Sequence, residues 1–186
     1  MIHLMAVGEG VEPDRLDALA AELARIFRVS CHVRDGALDA GFARDATRRQ
    51  YHSTAILERM QPLANGDDRV RLLGVTAYDL YVPIFTFVFG EAQLEGRCAL
   101  VSWHRLREES YGLPQDEAKL RERLTKEAVH ELGHTFGLRH CDDWRCVMAS
   151  SHSVERLDVK SAAFCEACAR LVLTGDGCPS GSRSRL

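Results

Sequence analysis

Between positions 130 and 141 the chain reads HELGHTFGLRHC: three histidines, a glutamate and two glycines within eleven residues, then a cysteine. His130 and His134 are four apart, so in a helix their side chains leave the same face one turn apart. Neutral imidazoles bind Zn²⁺ at about 2.0–2.1 Å, and this spacing lets both reach one ion. Glu131 is rotated by about 100° from His130. It can therefore stand beside the metal without ligating it, as a base for water that the metal activates. Gly137 can end the helix with φ > 0 and reverse the chain, which brings His140 round as a third ligand. Three protein ligands leave the fourth position to water, the arrangement of a catalytic zinc. Unrelated histidines on a polar helix are the plain alternative, yet the full pattern arises in only about one shuffled sequence in ten thousand.

The cysteines point to a second centre. Cys141 and Cys146 are separated by four residues, Cys165 and Cys168 by two. Such pairs are the usual halves of a closed Cys₄ zinc site, which holds a fold together and does no chemistry. The alternative is core cysteines plus a redox C-x-x-C. Redox motifs sit at a helix start after a strand, whereas Cys165 falls in or near the predicted last helix. On the zinc reading the peptide bond from His140 to Cys141 joins two metal shells. Cys31 and Cys98 read as buried apolar thiols and Cys178 as a tail residue. His3, His32, His52, His104 and His152 lack partners at ligand spacing and read as ordinary polar histidines.

The elements that must position these residues follow from pattern. IHLMAVG is a short apolar run ending at Gly8, a buried strand. Pro13 and Asp14 open a helix with Leu16, Leu19, Leu23, Ile26 and Phe27 on one stripe. SCHVR predicts a second strand, and Asp45 to Met60 a helix stopped by Pro62. NGDD is a turn, and RVRLLGVTAYDLYVP a third strand with its exit. Phe85 to Leu94 and Arg97 to His104 flank Glu95-Gly96 as an antiparallel hairpin. Residues 116–137 are helical, Val154 to Leu173 form a last helix, and the tail from Thr174 is loose. Strands alternating with helices, then a hairpin, predict an α/β (α+β) mixed sheet with an antiparallel member at its edge.

Composition bounds the class. The 186 residues suit one compact domain or one domain with a small appendage. Hydrophobic residues make up 46% and charged residues 27%, the balance of a globular protein with a core. With 24 basic against 27 acidic residues, net −3, no cationic surface offers itself to nucleic acid, which disfavours a zinc-ribbon module. No apolar run approaches the roughly 20 residues of a membrane span. The start lacks a basic n-region and cleavage site, so a cytoplasmic protein is the expectation, with the cysteines reduced or metal-bound.

H-E-x-x-H-x-x-G-x-x-H followed by Met148 resembles the metzincin zinc peptidases, in which a Met-turn underlies the metal. The HC junction, C-x₄-C, VM and C-x-x-C resemble one branch, the archaemetzincins. The likeness extends upstream through RRQYHSTAIL, GVTAYDLYVP, FTFVFGEA and ERLTKEAVHELGH, so it covers nearly the whole chain. It implies a twisted sheet-and-helix N-terminal subdomain (1–137) and a small zinc-stabilised C-terminal one (138–186), with the cleft between them. It also implies His130, His134 and His140 on a catalytic zinc, Glu131 as general base/acid, and Cys141, Cys146, Cys165 and Cys168 on a structural zinc. Met148 is then the floor of the site, and an extended peptide or protein substrate runs along the edge strand Phe85–Phe89. The expected activity is hydrolysis of peptide bonds by a monomer holding two Zn²⁺. The rival from another class is a zinc-stabilised peptide- or partner-binding protein with little turnover, which would have no need of Glu131.

Overall fold

In the computed structural model, which describes residues 1–64 and 69–174, a five-stranded sheet forms the centre. Its members are β1 (Ile2–Val7), β2 (Cys31–Leu38), β5 (Arg71–Thr76), β7 (Gly90–Ala92) and β8 (Cys98–Ser102), in the order β2-β1-β5-β8-β7. The first four strands in that order run parallel, and β7 pairs antiparallel with β8 at the edge. A small second sheet, β3-β4-β6, joins Arg44–Asp45, Gln50–His52 and Leu80–Tyr81.

Both faces of the central strands β1, β5 and β8 are buried, so residues on their opposite faces serve different cores. Ile2, Leu4, Leu73, Val75, Ala99 and Val101 pack with helices α1 (Pro13–Phe27) and α3 (Glu117–Thr135). Met5, Val7, Leu72, Cys98 and Leu100 face α2 (Ser53–Met60) on the other side. The first core continues into Cys146, Val147, Met148, Val154, Leu157 and Cys168. The chain after α3 thus packs on the same hydrophobic cluster as the sheet. It carries the short helix α4 (Val154–Val159) and α5 (Glu166–Thr174). Among the described residues no helix is long and apolar enough to cross a membrane.

Four expected elements differ from those observed. The helix predicted from Asp45 starts only at Ser53, because the Asp45 carboxylate accepts the Thr47 and Arg48 N–H groups at 2.9 and 3.0 Å and holds a turn. The third strand divides: β5 ends at Thr76 and β6 leaves for the second sheet. The strand predicted over 85–94 shrinks to Gly90–Ala92, although the hairpin does turn at Glu95–Gly96. The carbonyls of Phe85 and Thr86 are taken by the side chains of Arg48 and Gln50, at 2.9–3.2 Å, before any strand can use them. The last helix breaks into α4 and α5. Between them Ser161 N–H bonds Arg145 O and Val147 N–H bonds Ala163 O, folding the chain back toward Cys146. The NGDD turn and the tail beyond Thr174, Cys178 included, lie outside the described residues.

Helix α3 carries the chemistry and is fixed at both ends. Asp116 caps it by accepting Lys119 N–H at 2.9 Å. At the other end Gly137 adopts φ +87°, and the N–H groups of Gly137 and Leu138 close on His134 O and Gly133 O, a Schellman-type stop. In mid-helix Arg123, whose side chain is 2% exposed, donates twice to Asp158 at 2.7 Å and once to Leu106 O at 2.8 Å. Arg123 Nη2 also faces the buried Glu108 carboxylate at 3.3 Å, so losing the Asp158 charge leaves the guanidinium partly paired, and the cost is below the roughly 3–5 kcal/mol of a fully stranded buried charge. Asp158→Asn is therefore expected to lower stability by about 1–3 kcal/mol in urea denaturation. The Arg123 guanidinium holds the Asp158 carboxyl below its ordinary value of 3.8. Its contribution is complete above that value and disappears as pH falls through the lowered one. Acid titration of native and Asp158→Asn proteins should show this part of the acid transition in the native protein alone.

Candidate metal centres

Near its C-terminal end α3 presents Glu127, His130, Glu131 and His134, whose spacings of three and four residues put them on neighbouring turns. His130 and Glu131 are buried, His134 is half-buried, and His140, returned by the Gly137 reversal, is exposed. One ring nitrogen from each histidine lies within 4.8 Å of the others.

The proton positions follow from the hydrogen bonds. His130 Nδ1 faces Val147 O at 2.8 Å and His134 Nδ1 faces Leu138 O at 2.7 Å. A carbonyl only accepts, so each Nδ1 carries the proton and each Nε2 keeps a lone pair. These two Nε2 atoms face each other at 3.1 Å. Neither can donate to the other, so the geometry calls for a cation between them. The separation is close to the roughly 3.3 Å between two nitrogens on a tetrahedral zinc with bonds of 2.0–2.1 Å. Burial pushes His130 well below the ordinary 6.5 and lowers His134 and His140 as well. Burial thus favours the neutral form that a metal ligand must have. Burial, reinforced by Glu127, pushes the Glu131 carboxyl well above the usual carboxylate range; a metal cation beside it would draw it back down.

The four cysteines converge too, their Sγ atoms all within 4.8 Å of one another. Cys141 Sγ and Cys165 Sγ are 3.8 Å apart, far beyond a disulfide bond and close to the edge of a tetrahedron with bonds of about 2.3 Å. Cys165 immediately precedes α5 and Cys168 lies in its first turn, so the C-x-x-C does sit at a helix start. That position therefore no longer separates it from a redox motif. What separates it is the arrival of Cys141 and Cys146, with Cys146 Sγ accepting the Cys165 N–H at 3.3 Å. Cys98 is buried, with its thiol pushed up to about 11, and Cys31 is half-buried with its thiol also raised by burial.

Between the two centres runs the strap 146–149. Its Val147 carbonyl holds His130, and its Met148 carbonyl accepts the Cys141 N–H at 3.0 Å. Met148 itself is fully buried against α3 at Gly133, where an added Cβ would lie 2.4 Å from the Met148 sulfur. Above, an open groove has Glu127, His130, Glu131 and His140 along its bottom, Phe85–Gly90 on one wall and Ser150–His152 on the other.

Comparison with known proteins decides the family. The model of peptidase family M54 matches residues 32–173. The chain belongs to this family, the archaemetzincins. The archaemetzincin of Methanocaldococcus jannaschii is 45% identical over 127 residues, 68% of each chain. The solved archaemetzincin of Archaeoglobus fulgidus shares 38% identity at a TM-score of 0.77, covering 91% of this chain and 98% of that one. A zinc-dependent peptidase from Methanocorpusculum labreanum superposes with a TM-score of 0.83 at 29% identity, over 92% of this chain and all of that one, 100%. This archaemetzincin is accordingly a zinc-dependent metallopeptidase with mixed α/β architecture.

The three histidines and four cysteines singled out as ligands gather into two clusters. Sequence reading missed four others. Glu127 was legible as a carboxylate one turn ahead of Glu131, but its burial was not. His152 read as an ordinary histidine and lines the groove. Lys160 gave no signal. Gly90 owes its identity to close approach: a Cβ there would lie 2.6 Å from Glu131 Cγ and 2.7 Å from the Leu100 carbonyl oxygen. The backbone oxygen cannot yield, so Glu131 must. Gly90→Ala is expected to fold with a loss of about 1–3 kcal/mol. Its peptidase kcat should fall by about 10²-fold, the scale of a 1 Å misplacement, at unchanged metal content. Stability, metal content and steady-state rates measured on one preparation check this.

Proposed function

We propose that this archaemetzincin hydrolyses peptide bonds in the groove above α3, with His130, His134 and His140 holding a catalytic zinc and Glu131 acting as general base and then acid. The observation that carries this is the pair of Nε2 lone pairs facing each other at 3.1 Å with a buried carboxylate on the adjoining residue. A zinc ion there supplies Lewis-acid polarisation of the scissile carbonyl and of the attacking water. Glu131 takes the proton from that water and delivers it to the leaving amine, so one carboxyl serves both halves of the reaction. Met148 supports the histidines by packing beneath α3, without ligation.

The substrate is read as an extended peptide or protein segment lying along the sheet edge. The expected edge, Phe85–Phe89, has its Phe85 and Thr86 carbonyls already engaged by Arg48 and Gln50. The bonds from Ser102 N–H to Phe89 O and from Gln93 N–H to Cys98 O fix the hydrogen-bonding parity of β7. By the antiparallel alternation, the backbones of Gly90 and Ala92 then point away from β8. Among the described residues nothing pairs with them, so they are the positions we assign to substrate. Gly90 also touches Glu131, which puts such a backbone next to the base.

Cys141, Cys146, Cys165 and Cys168 are read as ligands of a second, structural zinc, giving two ions per chain. Four thiols gathered for metal fit a reducing compartment, and we place the protein in the cytoplasm. Elemental analysis should return two zinc ions, of which a chelator strips the open histidine site first. Cys165→Ser should lose the other ion together with several degrees of melting temperature, because structural metal binding is part of the folding free energy. One ion in the native protein, lost in Cys165→Ser, would remove the histidine zinc from this account.

Glu131→Gln is nearly isosteric, so it should keep both ions and peptide affinity while turnover falls by about 10² or more. Zinc content, affinity and rate on the same sample test this. Undiminished turnover in zinc-loaded Glu131→Gln would assign the chemistry to another base.

A further inference from the structure

Lys160 is an ammonium with no evident reason to be where it is. It follows α4, and its side chain is 1% exposed. Its Nζ donates to Ala149 O at 3.1 Å and faces Glu127 Oε1 at 3.6 Å. Glu127 is itself buried, and its Oε1 has no hydrogen bond of good geometry. Removing two charges from water costs more than such a loose pair returns, and apolar side chains of the same size would usually stabilise at least as well. Stability alone therefore does not account for the pair.

Its location does. Ala149 ends the strap 146–149, and three successive carbonyls of that strap are each engaged by a different part of the molecule. Val147 O holds the His130 ring, Met148 O holds the Cys141 backbone, and Ala149 O holds Lys160. Glu127, at the other end of the lysine, lies on α3 one turn ahead of His130 and Glu131 and lines the groove. Ser150, Ser151 and His152, which wall the groove, continue directly from Ala149. We propose that Lys160 is a positioning residue for the histidine metal centre, tying the strap that orients His130 to the Glu127 carboxylate of α3. The inference rests on the reading of the three histidines as a metal site.

The sign of the effect makes it testable. Lys160 is a cation facing a site meant for a dication, and its field already acts on His130, His134 and His140. If charge were its whole contribution, removing it would tighten metal binding. If it orients His130, removing it weakens binding. Lys160→Met alone strands the Glu127 charge and endangers folding, so the decisive protein is the full chain with Lys160→Met and Glu127→Met together, which replaces the pair by apolar isosteres. Zinc affinity at the histidine site is measured by competition with a chelator, with the cysteine-held ion counted separately. The ring N–H proton of His130 is followed by NMR.

We expect the double variant to keep the cysteine-held ion, to lose at least tenfold in affinity at the histidine site, and to show a weakened His130 ring N–H signal. Glu127→Gln, which keeps the Lys160–Ala149 bond, should stay within about threefold of native. Tighter binding in the double variant overturns the inference in favour of charge alone. Unchanged affinity, with or without a lower melting temperature, overturns it in favour of a merely structural pair. A native protein that binds no ion at the histidines overturns the metal-site reading itself, and this inference with it.

Discussion

Two imidazole lone pairs held face to face are the constraint on which the rest of the structure turns. Left to themselves, His130 and His134 would rotate apart or share a proton. They cannot, because Val147 O and Leu138 O hold both Nδ1 protons and fix both tautomers. Two lone pairs facing each other at 3.1 Å are a geometry that suits a shared cation. Preorganisation of this kind lowers what a metal must reorganise on binding, and burial keeps the imidazoles neutral against protonation.

The two carbonyls that impose it come from outside the helix, and small residues let them approach. Gly137 takes a left-handed conformation that turns Leu138 back over the last turn of α3. Gly133 leaves room for Met148, and so for the whole strap that carries Val147. Gly90 does the same on the sheet side, setting the edge of β7 against Glu131. Helix and edge strand thus meet at the Glu131 side chain, and helix and strap at the Met148 side chain lying over Gly133.

The strap also explains why the two centres belong together. His140 and Cys141 are neighbours in the chain, and Cys146 lies one residue before the carbonyl that orients His130. A metal held by Cys141, Cys146, Cys165 and Cys168 would therefore stiffen the support of the three histidines as well as the C-terminal helices. The buried charges work on the same ground: Arg123 locks α3 to Asp158 of α4, and Lys160 reaches from just beyond α4 to the end of the strap. With Lys126 of α3 donating to the Leu157 and Asp158 carbonyls, the short helix α4 is connected to α3 by three buried cations rather than by apolar packing alone.

How much of this was legible in the chain depends on the range of the interaction involved. The candidate ligand sets are local: His130, His134 and His140, with Glu131 and Gly137 between them, stand at separations that a helix and one reversal bring together without help, and the cysteine pairs are equally short-range. The parallel strands β1, β5 and β8 showed as apolar runs because both of their faces are buried, and α1 and α3 as helices with a proline start and a glycine stop respectively. The elements that differed were those decided at a distance. Asp45 gave up a helix to a turn beneath the second sheet. Phe85–Phe89 lost its strand to Arg48 and Gln50, nearly forty residues earlier in the chain. The last helix broke so that Cys165 could reach Cys146. Lys160 and Gly90 carry no sequence signal for the same reason, and neither does the burial of Glu127. Burial, a stranded carboxylate oxygen and a Cβ-free approach exist only once α3, the strap and the sheet edge are packed, since each is a property of the gap between elements rather than of any one of them.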